Sequence, residues 1–144
     1  MDRERGFGMN YLLDTNICVH MLKTKSFNVL KHARKSNSTQ INISSITECE
    51  LWFGVWNSTN ILENQERLKT FLQSFSKVSF DSSFAFTYGY LRAEQKKSGR
   101  NIGHNDLLIA AQALDMDAIL VTNNEKEFKQ IKDLRIENWL RAIP

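Results

Sequence analysis

The order of predicted strands and helices indicates an α/β fold, in which helices cover a mostly parallel central sheet of four to five strands. Short apolar runs, as expected for buried strands, alternate with longer segments of helical periodicity. The apolar runs end at polar or acidic residues, where strands lead into loops. The 144 residues, 42% hydrophobic and 24% charged, have the size and composition of one globular domain.

The composition predicts a cytoplasmic protein without a membrane span. Residues 1–8 (MDRERGFG) are charged and no long apolar segment follows them, so we expect a loose leader before a single domain at 9–144. Cys18 and Cys49 lie in predicted helices among apolar neighbours and lack the spacing of a zinc site or a disulfide framework. Both are expected to be buried free thiols. The formal charge of +3 permits a polyanionic partner without indicating one.

The predicted elements follow one another along the chain without an internal repeat. Strands are predicted at Tyr11–Leu13, Thr39–Ile43, Val78–Phe80, Ala118–Val121 and Leu134–Ile136. Helices are predicted at Ile17–Leu22, Phe27–Arg34, Ile46–Trp56, around Leu68–Phe75, from Phe84 to Ser98, from Asp106 to Leu114 and at Glu125–Ile131. Gly99 is well placed to end the fifth of these helices in a left-handed conformation.

The first apolar run stops abruptly at Asp14. In an α/β protein, the loop that leaves the carboxyl end of a central strand lies where ligands bind, so Asp14 is a candidate for chemistry. The alternative is that Asp14 or Asn16 caps the helix that begins near Ile17, because short polar side chains accept hydrogen bonds from free amides there.

Two acids in the third predicted helix differ in their expected roles. Ser45 to Glu48 (SITE) matches a capping box, which gives Glu48 a structural role. Glu50 instead stands between Ile46 and Phe53 on an apolar stripe, where a lone carboxylate is costly to bury. We therefore interpret Glu50 as a site residue, the alternative being a solvated surface acid.

Asp106 begins a helix that is apolar on nearly every side. Ile109 and Ala113, at i+3 and i+7, place Asp106 on the face that packs inward. This favours a functional site. The alternative is a first-turn acid stabilised by the helix dipole, with Asn105 as the cap.

The candidate residues are expected to converge at one edge of the sheet. Asp14 and Asn124 end strands, whereas Glu50 and Asp106 are expected in the first turns of helices. Two unit charges about 4 Å apart repel by roughly 4 kcal/mol at an effective dielectric of about 20. Protonation or a cation would relieve that repulsion, and oxygen ligands without a histidine or thiol favour Mg²⁺ or Mn²⁺ over zinc.

A carboxylate-bound Mg²⁺ polarises a phosphoryl oxygen and lowers the pKa of a bound water, which indicates phosphodiester hydrolysis. The chain contains no Walker loop, no Gly-rich dinucleotide fingerprint and no serine or cysteine nucleophile motif. A small-molecule phosphatase on a similar sheet is a weaker alternative, because Asp14 to Asn16 reads DTN where an aspartyl-phosphate enzyme would have DxD.

Four segments resemble the signature segments of PIN-domain ribonucleases, in particular the VapC toxins of type II toxin–antitoxin systems. The resemblance covers Met9 to Leu140, in order. The segments are LLDTN (12–16), ISSITECELWFG (43–54), GRNIGHNDLLIAA (99–111) and LVTNNEKEF (120–128).

The resemblance implies roles for the acids. Asp14, Glu50 and Asp106 match the family's metal-binding acidic residues. Asn124 stands where aspartate is common, which leaves open whether a second metal ion binds and whether Glu127, one turn later, substitutes for it.

The resemblance also implies a PIN-like α/β/α sandwich, a small VapB-like antitoxin whose tail enters the acidic groove, a homodimer formed through the early helices, and structured RNA such as tRNA as substrate. A catalytically silent module that binds RNA or a protein is the alternative function. Basic residues that would meet RNA phosphates, unless they are ordinary solvated charges, are Lys96, Lys97, Arg100 and His104, and less favourably Lys31, Arg34 and Lys35.

Overall fold

The computed structural model describes residues 10–24 and 40–140, and the predicted helix Phe27–Arg34 lies outside them. The strands in this part of the chain are β1 (Asn10–Leu13), β2 (Gln40–Ser44), β3 (Ser76–Val78), β4 (Ile119–Val121) and β5 (Ile136–Glu137). The helices are α1 (Thr15–Thr24), α2 (Ser45–Trp56), α3 (Ile61–Leu72), α4 (Ala85–Ser98), α5 (His104–Asp115) and α6 (Glu125–Phe128), with a 3₁₀ turn at Ser82–Phe84.

The sheet is parallel throughout, with strand order β3-β2-β1-β4-β5. The predicted α/β class is therefore confirmed. From β1 the chain first adds β2 and β3 on one side and then returns to add β4 on the other, which makes the boundary between β1 and β4 the topological switch point. Ligands bind at such a point, beyond the carboxyl ends of the strands.

Apolar side chains alternate between the two faces of the sheet and form a core on each. Leu12 and Leu120 belong to the cluster under α4 and α5, and Leu13 and Val121 belong to the cluster under α1, α2 and α3. The result is a three-layer sandwich. None of the helices in the described ranges is long and apolar enough to cross a membrane.

The bounds of the edge strands β3 and β5 differ from the predicted bounds, because pairing with the neighbouring strand sets them. β3 covers Ser76–Val78, because Val78 pairs with Ser44, and the predicted Val78–Phe80 is wrong beyond Val78. β5 covers Ile136–Glu137 because Glu137 pairs with Val121. An edge strand has one neighbour, whose register rather than the apolar pattern sets its ends.

Two predicted helix caps are wrong by one or two residues. Ser44, not Ser45, caps α2, its hydroxyl accepting a hydrogen bond from the amide of Ile46 at 3.0 Å. The Ser45 hydroxyl accepts instead from the amide of Phe80 at 2.9 Å. At α5 the cap position belongs to Gly103, which frees Asn105 for another role. The left-handed stop at Gly99 is confirmed, with φ of 71°.

The prediction of two buried thiols is half right. Cys18 is buried in the core, whereas Cys49 is exposed. α2 packs inward through Thr47, Leu51 and Val55, so a helix that looks apolar all round buries one face only.

The last predicted helix, Glu125–Ile131, is shorter in the structure and ends at Phe128.

Candidate active site

Asp14 lies at the switch point and is 3% exposed. Its Oδ1 accepts a hydrogen bond from the amide of Ile17 at 2.9 Å, so it does cap α1. Burial raises the pKa of its carboxyl and the charge of Glu50 adds to this, while hydrogen bonds, chiefly from the Thr122 side chain, lower the pKa in part. The two interpretations of Asp14 therefore do not exclude each other: it caps a helix and faces a second acid.

Asp106 lies in the first turn of α5, half-buried. Burial and, in decreasing order of importance, the charges of Asp14, Glu50 and Glu127 together raise its pKa to about 6. Asp106 therefore lies within electrostatic range of three acids from separate parts of the chain. This is the convergence that the sequence predicted for Asp14, Glu50 and Asp106.

Glu50 has both carboxylate oxygens occupied by neighbouring donors. Thr15 Oγ1 donates to Oε1 at 2.5 Å, and Asn105 Nδ2 donates to Oε2 at 3.3 Å. Glu50 is the sixth residue of α2, so its expected place in a first turn is wrong. The apolar stripe that singled it out is also wrong, because Phe53 is 68% exposed. The inferred orientation toward the other acids nevertheless holds.

Asn124 and Glu127, the two candidates for the fourth residue of the site, differ in their surroundings. Asn124 precedes α6 and its backbone amide donates to Thr122 Oγ1 at 2.9 Å, while its side chain makes no capping hydrogen bond. Glu127, in contrast, is close enough to raise the pKa of Asp106. The electrostatics thus associate Glu127 with the acidic cluster.

The oxygen donors suit a hard divalent cation, but they are not fully assembled. Within residues 10–24 and 40–140, no three His, Cys, Asp or Glu side chains already form a group that could hold a metal ion. Glu50 is engaged by Thr15 and Asn105, so side-chain rotation would have to complete a ligand set. The chemistry still fits, because crowded carboxylates with a raised pKa gain most from a cation and oxygen is what Mg²⁺ prefers.

The described basic residues that are predicted to meet RNA lie at the end of α4, in the loop that follows it and at the start of α5. His104 is exposed and, with Glu50, Asn105 and Asp106, lines a shallow cavity of about 390 Å³. Arg100 donates from Nη1 to the Gln130 carbonyl at 3.1 Å. Lys96 and Lys97 are exposed in the last turn of α4. Lys31, Arg34 and Lys35 lie outside the described residues.

Sequence reasoning missed three polar residues that position the acids: Thr15, Asn105 and Thr122. Each is adjacent, or within two residues, to a strand end or to a candidate acid. Thr122 directly follows β4, at the position that Asp14 occupies after β1. That equivalence was available as a signal, whereas the Asn105 contact depends on how α2 and α5 pack.

Asp106 should make the free energy of unfolding of the metal-free protein depend on pH. Its pKa of about 6 in the fold exceeds the unfolded value of about 3.9. The folded state therefore binds more protons in this window, and the free energy of unfolding falls as pH rises through about 6. Solvent screening of a half-exposed carboxylate reduces the effect to about 1 kcal/mol, or roughly 2–4 °C.

We expect thermal unfolding in EDTA, followed by calorimetry, to occur at a higher temperature near pH 5 than near pH 7.5. Asp106→Asn, which lacks the titrating group, should show a smaller difference. A wild-type protein that is more stable at the higher pH would contradict this account of the acidic cluster.

The parallel sheet with acids gathered at its switch point defines a class of protein. The chain matches the PIN-domain family over residues 11–134 and belongs to that family. The predicted resemblance and the predicted PIN-like sandwich are thereby confirmed.

Within the PIN domains, the relatives are VapC ribonucleases. The chain is 45% identical to Ribonuclease VapC2 of Rickettsia felis over 134 residues, 91% of this chain and 98% of that protein. It is 34% identical to the tRNA(fMet)-specific endonuclease VapC of Shigella flexneri, covering 91% and 98%. The crystal structure of VapBC2 from Rickettsia felis bound to a promoter DNA fragment matches with a TM-score of 0.87 and 42% identity, covering 91% and 99%. The chain therefore belongs to the VapC family of PIN-domain proteins, as predicted.

Proposed function

We propose that this chain hydrolyses phosphodiester bonds within structured RNA, using Mg²⁺ or Mn²⁺ bound by Asp14, Glu50 and Asp106. PIN-domain ribonucleases generally depend on a divalent metal ion. The observation that carries the assignment to these residues is the mutual effect of their charges, which contributes to raising the pKa of Asp106 to about 6. A partly buried anionic cluster of this kind binds either protons or a cation.

When bound, such a cation polarises a phosphoryl oxygen and lowers the pKa of a water molecule so that it attacks phosphorus. The chain's own residues supply the positioning. The Ile17 amide and the Thr122 side chain orient Asp14. Thr15 and Asn105 orient Glu50. These hydrogen bonds hold the two acids near each other before the substrate arrives. Side-chain rotation of Glu50 would then complete the ligand set.

We infer that Glu127, rather than Asn124, supplies the fourth acidic group. Its charge acts on Asp106, whereas the neutral amide of Asn124 offers a weaker ligand. Glu127→Gln should therefore reduce cleavage more than Asn124→Ala. The opposite order would assign the fourth position to Asn124.

We propose tRNA as the substrate class, because the relative from Shigella flexneri is named a tRNA(fMet)-specific endonuclease. The cavity shared by His104 and the acids would receive the scissile phosphate. Lys96, Lys97 and Arg100 would contact neighbouring phosphates, which contributes affinity without choosing a sequence.

We further propose that the protein is a toxin of the cytoplasm, held inactive by a VapB-like antitoxin and active as a homodimer. The support for the partner is the likeness to the VapBC2 complex from Rickettsia felis. Exposed apolar side chains offer surface for protein contacts. They include Leu62 and Phe86.

Removal of divalent metal should abolish cleavage. Purified protein, incubated with total tRNA and 5′-labelled initiator tRNA, is expected to yield defined fragments in Mg²⁺ or Mn²⁺ and none in EDTA, because the acids then lack the cation that activates water. Gel analysis of the products measures this.

Cleavage that resists chelation would reject the mechanism. RNA binding without turnover in Mg²⁺ or Mn²⁺ would favour the catalytically silent module. A matched control is Asp115→Asn, since Asp115 is an exposed acid on α5 at the end opposite to Asp106.

A further inference from the structure

A second cavity opens beside the acidic site. It measures about 650 Å³, within the range of roughly 300–1,000 Å³ typical of ligand sites. It shares Glu50 and Asn105 with the smaller cavity that contains Asp106. A ligand whose phosphate lies at the acids would therefore extend into this second cavity. Its lining residues are Thr15, Ile46, Cys49, Glu50, Phe53 and Asn105.

Phe53 gives this cavity an exposed aromatic wall. The side chain is 68% exposed, while the core face of α2 is formed by Thr47, Leu51 and Val55. Phe53 is therefore not needed to fill the core. In the described ranges its ring stacks on no other aromatic ring. A flat apolar surface beside a phosphate-binding site suits a nucleobase, since aromatic side chains bind unpaired bases of RNA by stacking.

Asn105 adds a polar group to the same cavity. Its Nδ2 donates to Glu50, whereas its Oδ1 accepts no hydrogen bond from the residues that the structure describes. The side chain is exposed, so this oxygen is available to a donor on a ligand. Amide side chains bind the edges of bases in this way.

We propose that the cavity between α1, α2 and the start of α5 binds the unpaired nucleobase adjacent to the scissile phosphate, stacked on Phe53 with its edge toward Asn105. The inference rests on the proposed function, because it assumes an RNA substrate. A base fits better than a second phosphate, since no lysine or arginine is among the residues that line the cavity. Three of the six lining residues are polar, namely Thr15, Glu50 and Asn105, so the cavity offers hydrogen-bonding groups to the edge of a base beside its apolar wall.

The test compares substitutions of Phe53 in cleavage of the same tRNA. Phe53→Leu keeps an apolar side chain but removes the stacking surface, and should lower kcat/KM by about 5- to 100-fold. Phe53→Tyr should retain activity. Trp56→Leu is the matched control, because Trp56 is 61% exposed on the same helix and is not among the residues that line the cavity. The unfolding temperature should stay unchanged in all three variants.

A binding measurement separates stacking from catalysis. A single-stranded oligoribonucleotide that carries a fluorescent adenine analogue should lose emission on binding to the Asp106→Asn protein, and retain it when Phe53→Leu is added. If the wild type cleaves the tRNA and Phe53→Leu cleaves it equally fast, the base site alone is overturned. If the wild type does not cleave it, the proposed function is overturned. An equal loss in Trp56→Leu, or a dimer that dissociates in Phe53→Leu, would assign this face to protein contact and overturn the base site.

Discussion

Asp106→Asn should reduce RNA cleavage by about a thousandfold or more and, in the absence of metal, should make the protein harder to unfold. The carboxylate is a proposed metal ligand, and a metal ion contributes several kcal/mol of transition-state stabilisation, each 1.4 kcal/mol being about tenfold in rate. In the folded protein, burial and three neighbouring negative charges destabilise the ionised form of the same carboxyl. A neutral amide of equal size removes that repulsion.

Single-turnover cleavage of labelled tRNA and calorimetry in EDTA measure the two effects on one sample. The control is Asp115→Asn, which should change neither, because Asp115 is exposed and an amide oxygen still accepts the hydrogen bond from Thr87. A variant that loses activity and stability together would indicate that Asp106 supports the fold rather than the reaction.

Asp14→Asn and Asp14→Ala should both abolish cleavage, but only the alanine variant should lose stability. The Oδ1 of Asp14 accepts a hydrogen bond from the Ile17 amide at the start of α1. Asparagine retains an acceptor for that bond, whereas alanine does not, and loss of a helix cap costs about 1 kcal/mol. The loss of cleavage reflects the missing negative charge and should reach about a thousandfold in either variant.

Urea denaturation and the tRNA assay separate these contributions. Asn16→Ala is a suitable control, since Asn16 is exposed and adjacent to the same helix start. If Asp14→Asn remained active, Asp14 would be a cap alone, and the proposed ligand set would be wrong.

The sequence predicted strand bounds best for strands that are buried on both faces of the sheet. The runs at β1 and β4 lie in the centre of the sheet, so their apolar character matched their strands closely. At β3 and β5 the pairing partner sets the bounds, and the apolar pattern misplaced them. Cys49 was assigned to the core because the sequence of α2 is apolar on all sides, although the fold covers only one of them.

The site could be predicted in its acids but not in its supporting contacts. Asp14 and Asp106 follow from their places at a strand end and a helix start, which topology brings together. The partners of Glu50 could not be inferred, since Thr15 and Asn105 are separated from it by 35 and 55 residues. Such contacts depend on the packing of three helices, which no local pattern encodes.

The bond between Asn105 and Glu50 joins helices that pack on opposite faces of the sheet. α2 contributes Leu51 and Val55 to one core, and α5 contributes Ile109 to the other. A cation coordinated by acids from both helical layers would therefore link those layers across the carboxyl edge of the sheet. Occupancy of the acidic cluster would then protect the whole domain against unfolding rather than order a single loop.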